Sequence, residues 1–248
     1  MARQTDKGIN GVVGPVILYT VNGRQYMRSK PGPRSRKKKP APVTEANNKV
    51  FGLVSACGSD MVRAVRDRFR YPFRLATHNT IRGWMRNQYA FYHQSPEWKL
   101  AIRGSDICQL NPEASLAEHL RAGLSISDAG KGKIALTIDA LDPKRDLKAP
   151  QGTDSVQIKV VAAVSAFDRD HCQTVSAEEV YLIPYPGQAL PAKTLLLDTG
   201  GKAGDTATVW VGLTYYKNAY LPEHYSRELR HLPLAIIAMG RLGGSDLQ

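Results

Sequence analysis

The chain has 248 residues, with 34 Lys and Arg against 22 Asp and Glu, a formal net charge of +12 and 42% hydrophobic residues. That length buries a proper core as one large domain or two small ones, and these fractions exclude a disordered or fibrous chain. No apolar run approaches the roughly 20 residues that span a bilayer; the longest, Val12 to Leu18 and Leu234 to Met239, are strand-sized.

The charge is segregated along the chain. Residues 1–103 hold 20 Lys and Arg against 5 Asp and Glu, a net of +15, and the remainder holds 14 against 17, a net of −3. A chain that gathers cation at one end calls for an anionic partner there, nucleic acid or an acidic protein surface. The opening Met-Ala-Arg-Gln-Thr-Asp-Lys lacks the apolar core of a secretory signal, and Cys57, Cys108 and Cys172 are odd in number and far apart. The expectation is cytoplasmic synthesis with no disulfide framework, with room for incorporation into a larger particle.

In chain order, Val16–Val21 and Arg24–Ser29 flank Asn22-Gly23, a dipeptide that accepts positive φ at both positions and so favours a two-residue hairpin turn. In the second strand Arg24, Tyr26 and Arg28 share one face, and Gln25 and Met27 the other. Residues 30–43 read as an extended linker. Arg34, Arg36, Lys37, Lys38 and Lys39 repel one another between proline pairs that disfavour regular structure.

A helix is expected from Thr44 to about Phe69, with Val50, Val54, Cys57, Met61 and Val65 at helical spacing. Arg63, Arg66, Arg68 and Arg70 crowd its end, where cations favour the helix dipole, and Gly58 marks a weak point. A second helix starts near Thr77 or Asn79 and runs to about His93, closed by Ser95-Pro96. Beyond Ile107 the pattern turns to short strands: Gly132–Ile138, Val156–Phe167, Thr174–Ile183, Thr194–Leu197, Thr206–Tyr215 and Leu234–Met239. Separators such as Asp128-Ala129-Gly130 and Pro184-Tyr185-Pro186-Gly187 recur between them, which suggests an antiparallel sandwich. Within it Val156, Ile158, Val160, Ala162 and Val164 line one face, and Ser115 to Arg121 fits helix or strand equally. The predicted fold is mainly β (α+β): a hairpin and basic arm over 1–43, a helical segment over 44–97, and an immunoglobulin-like sandwich region over 98–248, as one or two β domains.

Gly8, Gly11, Gly14, Tyr19, Asn22-Gly23, Tyr26, Arg28-Ser29-Lys30-Pro31 and the segment from Thr44 to Val54 resemble an uncharacterised family of Bacteroidota proteins. In those proteins a glycine-spaced hairpin arm and a helix precede immunoglobulin-like strands. The likeness covers residues 8–70 and implies a hairpin-plus-sandwich architecture, with no activity or catalytic residues attached.

The candidate binding set follows from charge and aromaticity. Arg24, Tyr26, Arg28 and Lys30 lie on the hairpin, and Arg34, Arg36, Lys37, Lys38 and Lys39 on the arm; the cations would neutralise phosphates, while Tyr19, Tyr26 and the Arg guanidinium planes would stack on unpaired bases. Arg63, Arg66 and Arg70 extend the set onto the helix. The bland alternative is a solubilising tail. No sequence-reading motif is visible, so recognition by charge and shape is expected. The hairpin's strand edges also suit pairing with a neighbouring subunit, which makes a homo-oligomer or larger assembly the leading expectation and a monomeric nucleic-acid binder the alternative.

Other motifs carry less. Leu196-Leu197-Asp198-Thr199-Gly200, with Ile236–Gly240 as a faint second element, echoes the aspartic-peptidase loop, but no second Asp-Thr-Gly exists to complete a carboxylate pair. Asp168, Asp170, His171 and Cys172 lack zinc-site spacing, His224 and His231 read as surface, and Gly130-Lys131-Gly132-Lys133 lacks the pattern of a phosphate-binding loop. The sequence therefore predicts a non-enzymatic protein with no catalytic residue, metal or cofactor.

Overall fold

The computed structural model describes residues 3–5, 8–21, 24–32, 41–92, 98–104, 107–167, 174–217 and 226–243. The chain forms two compact units, Met1–Glu45 and Ala46–Gln248.

The first unit is a four-stranded antiparallel sheet of β1 (Arg3–Thr5), β2 (Gly8–Val13), β3 (Val16–Val21) and β4 (Arg24–Ser29), in that order. The predicted hairpin is present, with Val21 opposite Arg24 and Val16 opposite Ser29; its Asn22-Gly23 tip lies outside the described residues. The sheet has two more strands than expected. The apolar stretch Val12 to Leu18 is not one strand but two, split by Gly14-Pro15, with Val13 opposite Val16. Gly14 has φ +56°, the conformation wanted at the first central position of a type II′ turn, and the fixed φ of proline suits the second.

The second unit is a layered α+β body. Its helices are α1 (Pro42–Arg66) and α2 (Leu75–Tyr92), joined by a short turn; α1 begins at Pro42, two residues before the expected Thr44. Proline is at home in a first helical turn because its missing N–H would have no partner there, and Glu45 adds a favourable charge. The helix is continuous through Gly58. An added Cβ there would lie 3.1 Å from Met85 Sδ, tighter than ordinary packing, so this glycine eases the close approach of α2 and marks no break. Ser95-Pro96 lies outside the described residues.

The strands that follow are β5 (Cys108–Gln109), β6 (Leu124–Gly130), β7 (Lys133–Ile138), β8 (Ser155–Ser165), β9 (Thr174–Pro184), β10 (Lys193–Asp198), β11 (Thr206–Tyr216) and β12 (Leu234–Arg241). Two one-turn helices interrupt them, α3 (Leu116–His119) and α4 (Pro143–Asp146). The ambiguous stretch from Ser115 to Arg121 is thus a helical turn. One sheet has the order β10-β7-β6 and the other β5-β12-β11-β8-β9, all antiparallel. The chain leaves the small sheet after β7, returns for β10 and leaves again for β11. These crossings make an immunoglobulin-like sandwich.

One expected separator proves to be strand. Asp128-Ala129-Gly130 ends β6, and the reversal falls at Lys131 and Gly132, with φ of +52° and +74°. The run Gly130-Lys131-Gly132-Lys133 is therefore a hairpin turn with positive φ at both central residues.

The sandwich core joins Ile134, Leu136 and Ile138 of β7 to Val156, Ile158, Val160, Ala162 and Val164 of β8 and to Val209, Val211 and Leu213 of β11. The opposite face of the large sheet is buried as well. Val161, Ala163, Trp210 and Ile236 pack with Val54, Met61 and Val65 of α1 and Ile81 and Met85 of α2. Trp210 is fully buried, and its indole N–H donates to Thr208 Oγ1 at 2.9 Å.

Cys57, fully buried on α1, is disulfide-bonded. This amends the expectation of a chain without disulfides, because separation along a sequence does not report separation in space. Cys108 is a free buried thiol whose pKa burial pushes up to about 12. Peptide mass mapping after alkylation in denaturant should find Cys108 modified without reductant and Cys57 only after reduction. In urea unfolding, Trp210→Ala should lose about 3–5 kcal/mol, whereas Leu196→Ala, at a side chain 47% exposed, should lose under about 1 kcal/mol.

Candidate nucleic-acid interface

In an antiparallel sheet, residues directly opposite each other share a face. The pairs Ile17–Arg28, Tyr19–Tyr26 and Val21–Arg24 therefore set the predicted Arg24, Tyr26 and Arg28 on one face of the first unit. The Tyr19 and Tyr26 rings stack with centroids 5.8 Å apart and planes 21° apart. The Arg28 guanidinium carbon stands 5.7 Å from the Tyr19 centroid, a cation–π distance. Every residue of β4 is exposed, and β4 is an edge of its sheet. Lys30 follows immediately; it is exposed, and its N–H donates to the Pro15 carbonyl.

The opposite face differs in kind. Val13, Val16, Leu18, Thr20, Gln25, Met27 and Ser29 share it through their pairings, and none is charged. The Gln25 amide accepts from Ile9 N–H at 3.2 Å and donates to the Ile9 carbonyl, tying β4 to β2 across the intervening strand. Residues 8–44 contain no Asp or Glu at all, so no carboxylate within this stretch offsets its cations. Arg34, Arg36, Lys37, Lys38 and Lys39 lie outside the described residues.

Arg63, Arg66 and Arg70 belong to the second unit and not to this sheet. Arg63 pairs with Asp60 at 2.7 Å and Arg66 with Asp67 at 3.4 Å; such exposed pairs are weak and leave the cations open to competition by a stronger anion. Arg70 is exposed just beyond α1. Sequence reading passed over the rest of this helical layer, where residues 46–92 carry 8 Lys and Arg against 2 Asp. Arg82 donates to Ser59 Oγ at 2.9 Å, Arg68 donates to Glu178 at 3.0 Å, and Arg86 lies 5.7 Å from the centre of the Phe51 ring. The count was readable in the sequence, but the shared layer needed the helix packing.

The minor motifs resolve into structure. Asp198 ends β10, accepts from Gly200 N–H at 3.3 Å and lies 3.7 Å from Lys133 Nζ. Thr199 Oγ1 donates to the Gly132 carbonyl at 2.6 Å. These are the bonds of a turn locked onto the neighbouring hairpin. Gly240 lies where Lys99 and Leu100 cross β12, since an added Cβ would meet their backbone at 2.5–2.6 Å. Asp168, Asp170, His171, Cys172 and His224 lie outside the described residues, and among the described residues no cluster of three His, Cys, Asp or Glu side chains could hold a metal. No helix among them is long and apolar enough to cross a membrane. Neither a protein-family model nor a curated protein matches the chain.

One buried polar network went unnoticed in the sequence. His119 is 5% exposed and Tyr215 1%. His119 Nδ1–H donates to the Lys148 carbonyl at 3.0 Å, with Tyr215 Oη 2.8 Å away. Burial holds the His119 pKa below its ordinary value and outweighs the bond to Lys148, which favours the charged ring. His78, burdened also by Arg82 and Arg66, and His231 are lowered by burial in the same way. All three rings favour folding when neutral. Their contribution is fully present above the ordinary histidine pKa near 6.5 and is lost as pH falls through that value toward the depressed ones, because the unfolded chain takes up protons first. Thermal melts should show Tm falling from pH 7.5 to 5.5, with a smaller fall in His119→Gln.

Proposed function

We propose that the protein is a non-enzymatic assembly protein whose N-terminal sheet and basic arm bind nucleic acid in single-stranded form. The observation that carries this reading is the exposed face on which Tyr19 and Tyr26 stack beside Arg24 and Arg28. An acidic protein surface would need only the charge. Two parallel rings with a guanidinium beside them supply what unpaired bases use, a stacking platform next to phosphate-binding cations. Lys30 and the cations from Arg34 to Lys39 continue the charge beyond the sheet edge, where they neutralise successive phosphates and release counterions. The sandwich serves as the body that carries the arm. The arm orders on contact, which lowers affinity per residue but lets it wrap an extended strand.

Assembly follows from the same unit. The edge of β4 offers unpaired backbone groups to another chain, as in β-augmentation. Nucleic acid bound along several copies would hold these edges close together.

Fluorescence anisotropy with a 20-nucleotide oligo(dT) tests the binding. Replacing Arg34, Arg36, Lys37, Lys38 and Lys39 with Gln should flatten the log–log dependence on salt by about 3 to 4. Tyr26→Ala should weaken binding by about tenfold, consistent with ~1–3 kcal/mol per stacked base, without changing that slope. Equal affinity for polyglutamate, with no effect of Tyr26→Ala, would reassign the partner to an acidic protein surface. Light scattering on the oligo(dT) complex, with and without residues 1–43, separates assembly from monomeric binding.

A further inference from the structure

The two sheets of the second unit end in four edge strands, and three of them are guarded. β5 is two residues long, and β6 carries a register shift between Asp128 and Gly130. β10 opens with Lys193. Short length, bulges and edge lysines all keep other strands away from a sheet. β9 has none of these. It runs 11 residues from Thr174 to Pro184, pairs with β8 without a register shift, and holds no Lys, Arg or Pro before its last residue. Its other side pairs with no strand among the described residues. Val180 and Leu182 on it are 42% and 53% exposed.

The charge on this edge has one sign. β9 carries Glu178 and Glu179 and no cation. Glu178 is engaged within the unit, by Arg68 at 3.0 Å and Lys159 at 3.9 Å. Glu179 is exposed and has no ion pair among the described residues. The pairing with β8 sets Glu179 and Tyr181 on the face of Val160 and Ile158, and Val180 and Leu182 on that of Lys159 and Gln157. A strand that suits this edge places a cation on the first face and an apolar residue next to it on the second.

β4 is such a strand. It is an exposed edge of its own sheet, and Arg24 and Arg28 are its only charges. Antiparallel pairing that sets Arg28 opposite Glu179 also sets Met27 opposite Val180, Tyr26 opposite Tyr181 and Gln25 opposite Leu182. Met27 is 72% exposed, so this register takes its side chain out of water against Val180. A slip of one residue sets Arg28 opposite Val180 or Met27 opposite Glu179, so charge and burial select the same register.

We infer that β4 of one copy of this chain adds to β9 of a second copy, extending the five-stranded sheet by one strand. The backbone ladder supplies the affinity, and the Arg28–Glu179 and Met27–Val180 pairs supply the specificity. Donor and acceptor are different surfaces, so a pair of copies still offers one free β4 and one free β9, and growth proceeds as a row or a ring. This inference rests on the assembly reading above, for which it names the acceptor, and does not need the nucleic-acid reading.

Sedimentation velocity of the full chain without nucleic acid, over a range of concentrations, tests it. The mass should rise with concentration. Arg28→Glu and Glu179→Arg should each weaken association by about tenfold, because either sets like charges opposite each other. An equimolar mixture of the two variants, and the chain carrying both changes, should recover most of the loss. Glu178→Gln should leave association within about twofold, since its partners lie in its own unit. A mass that stays monomeric, association unchanged in both charge reversals, or no recovery in the doubly changed chain overturns the pairing. The concentration series on the unaltered chain decides whether copies associate even if a variant fails to fold. A monomeric chain that binds oligo(dT) overturns this pairing and leaves the nucleic-acid reading standing.

Discussion

Strands β8 and β11 are buried on both of their faces, and the second unit is arranged around that requirement. Every residue of β11 from Thr206 to Tyr216 is buried, and β8 is nearly so. One face of this pair meets the small sheet and the other meets the helices. At about 1.5–3 kcal/mol for each large apolar side chain removed from water, leaving Val161, Trp210 and Ile236 uncovered would undo much of what the sandwich core gains. The helices α1 and α2 are therefore structural cover for the sheet. Gly58 is the local consequence, since the two helices approach closely enough over this face that a methyl group at that position would press on Met85.

Covering one face of a sheet with helices also decides where charge sits. Arg63 and Arg66 on α1 and Arg86 on α2 are exposed, as is Arg74 just before α2. A mixed surface would offset such cations with neighbouring carboxylates, but residues 46–92 contain only Asp60 and Asp67. In the first unit the imbalance is complete from residue 8 to residue 44. Self-repulsion of this kind disfavours compactness and is relieved when counter-charge arrives, so the cation-rich segments gain most from an anionic partner.

Much of this was legible from the sequence. The hairpin of β3 and β4 announced itself through Asn22-Gly23 between strand-like runs, and six sandwich strands through turn residues at regular intervals. The strands β1 and β2 were not legible, because a glycine-rich run with little apolar alternation carries no strand period. β6 was hidden for a related reason: Asp128 and Gly130 look like turn residues, yet Asp128 accepts from Gly130 N–H at 2.8 Å inside a bulged strand end. The helical cover was half visible. β11 reads Val-Trp-Val with apolar residues at both parities, a sign of burial on both faces. On β4, Arg24, Tyr26 and Arg28 share a face by strand alternation, and the two-residue turn at Asn22-Gly23 fixes the register that sets Tyr19 opposite Tyr26.

The first unit shows why a sheet so small takes two unlike faces. Four short strands hold together in water only with an apolar face to cover or a partner to dock against. Here Met27 is 72% exposed and Val13 53% on the uncharged face, while Tyr19 and Tyr26 remain 37% and 44% exposed on the other. The uncharged face has nothing that a polyanion would recognise. The aromatic face sets its cations beside rings whose exposed surface a stacked base would remove from water. Binding on that face would stabilise the sheet as well as the complex, because the strands that present Tyr19, Tyr26 and Arg28 are the ones whose pairing the ligand would brace. A ligand that took to that face would favour the paired strands over the open ones and so stabilise this unit by mass action.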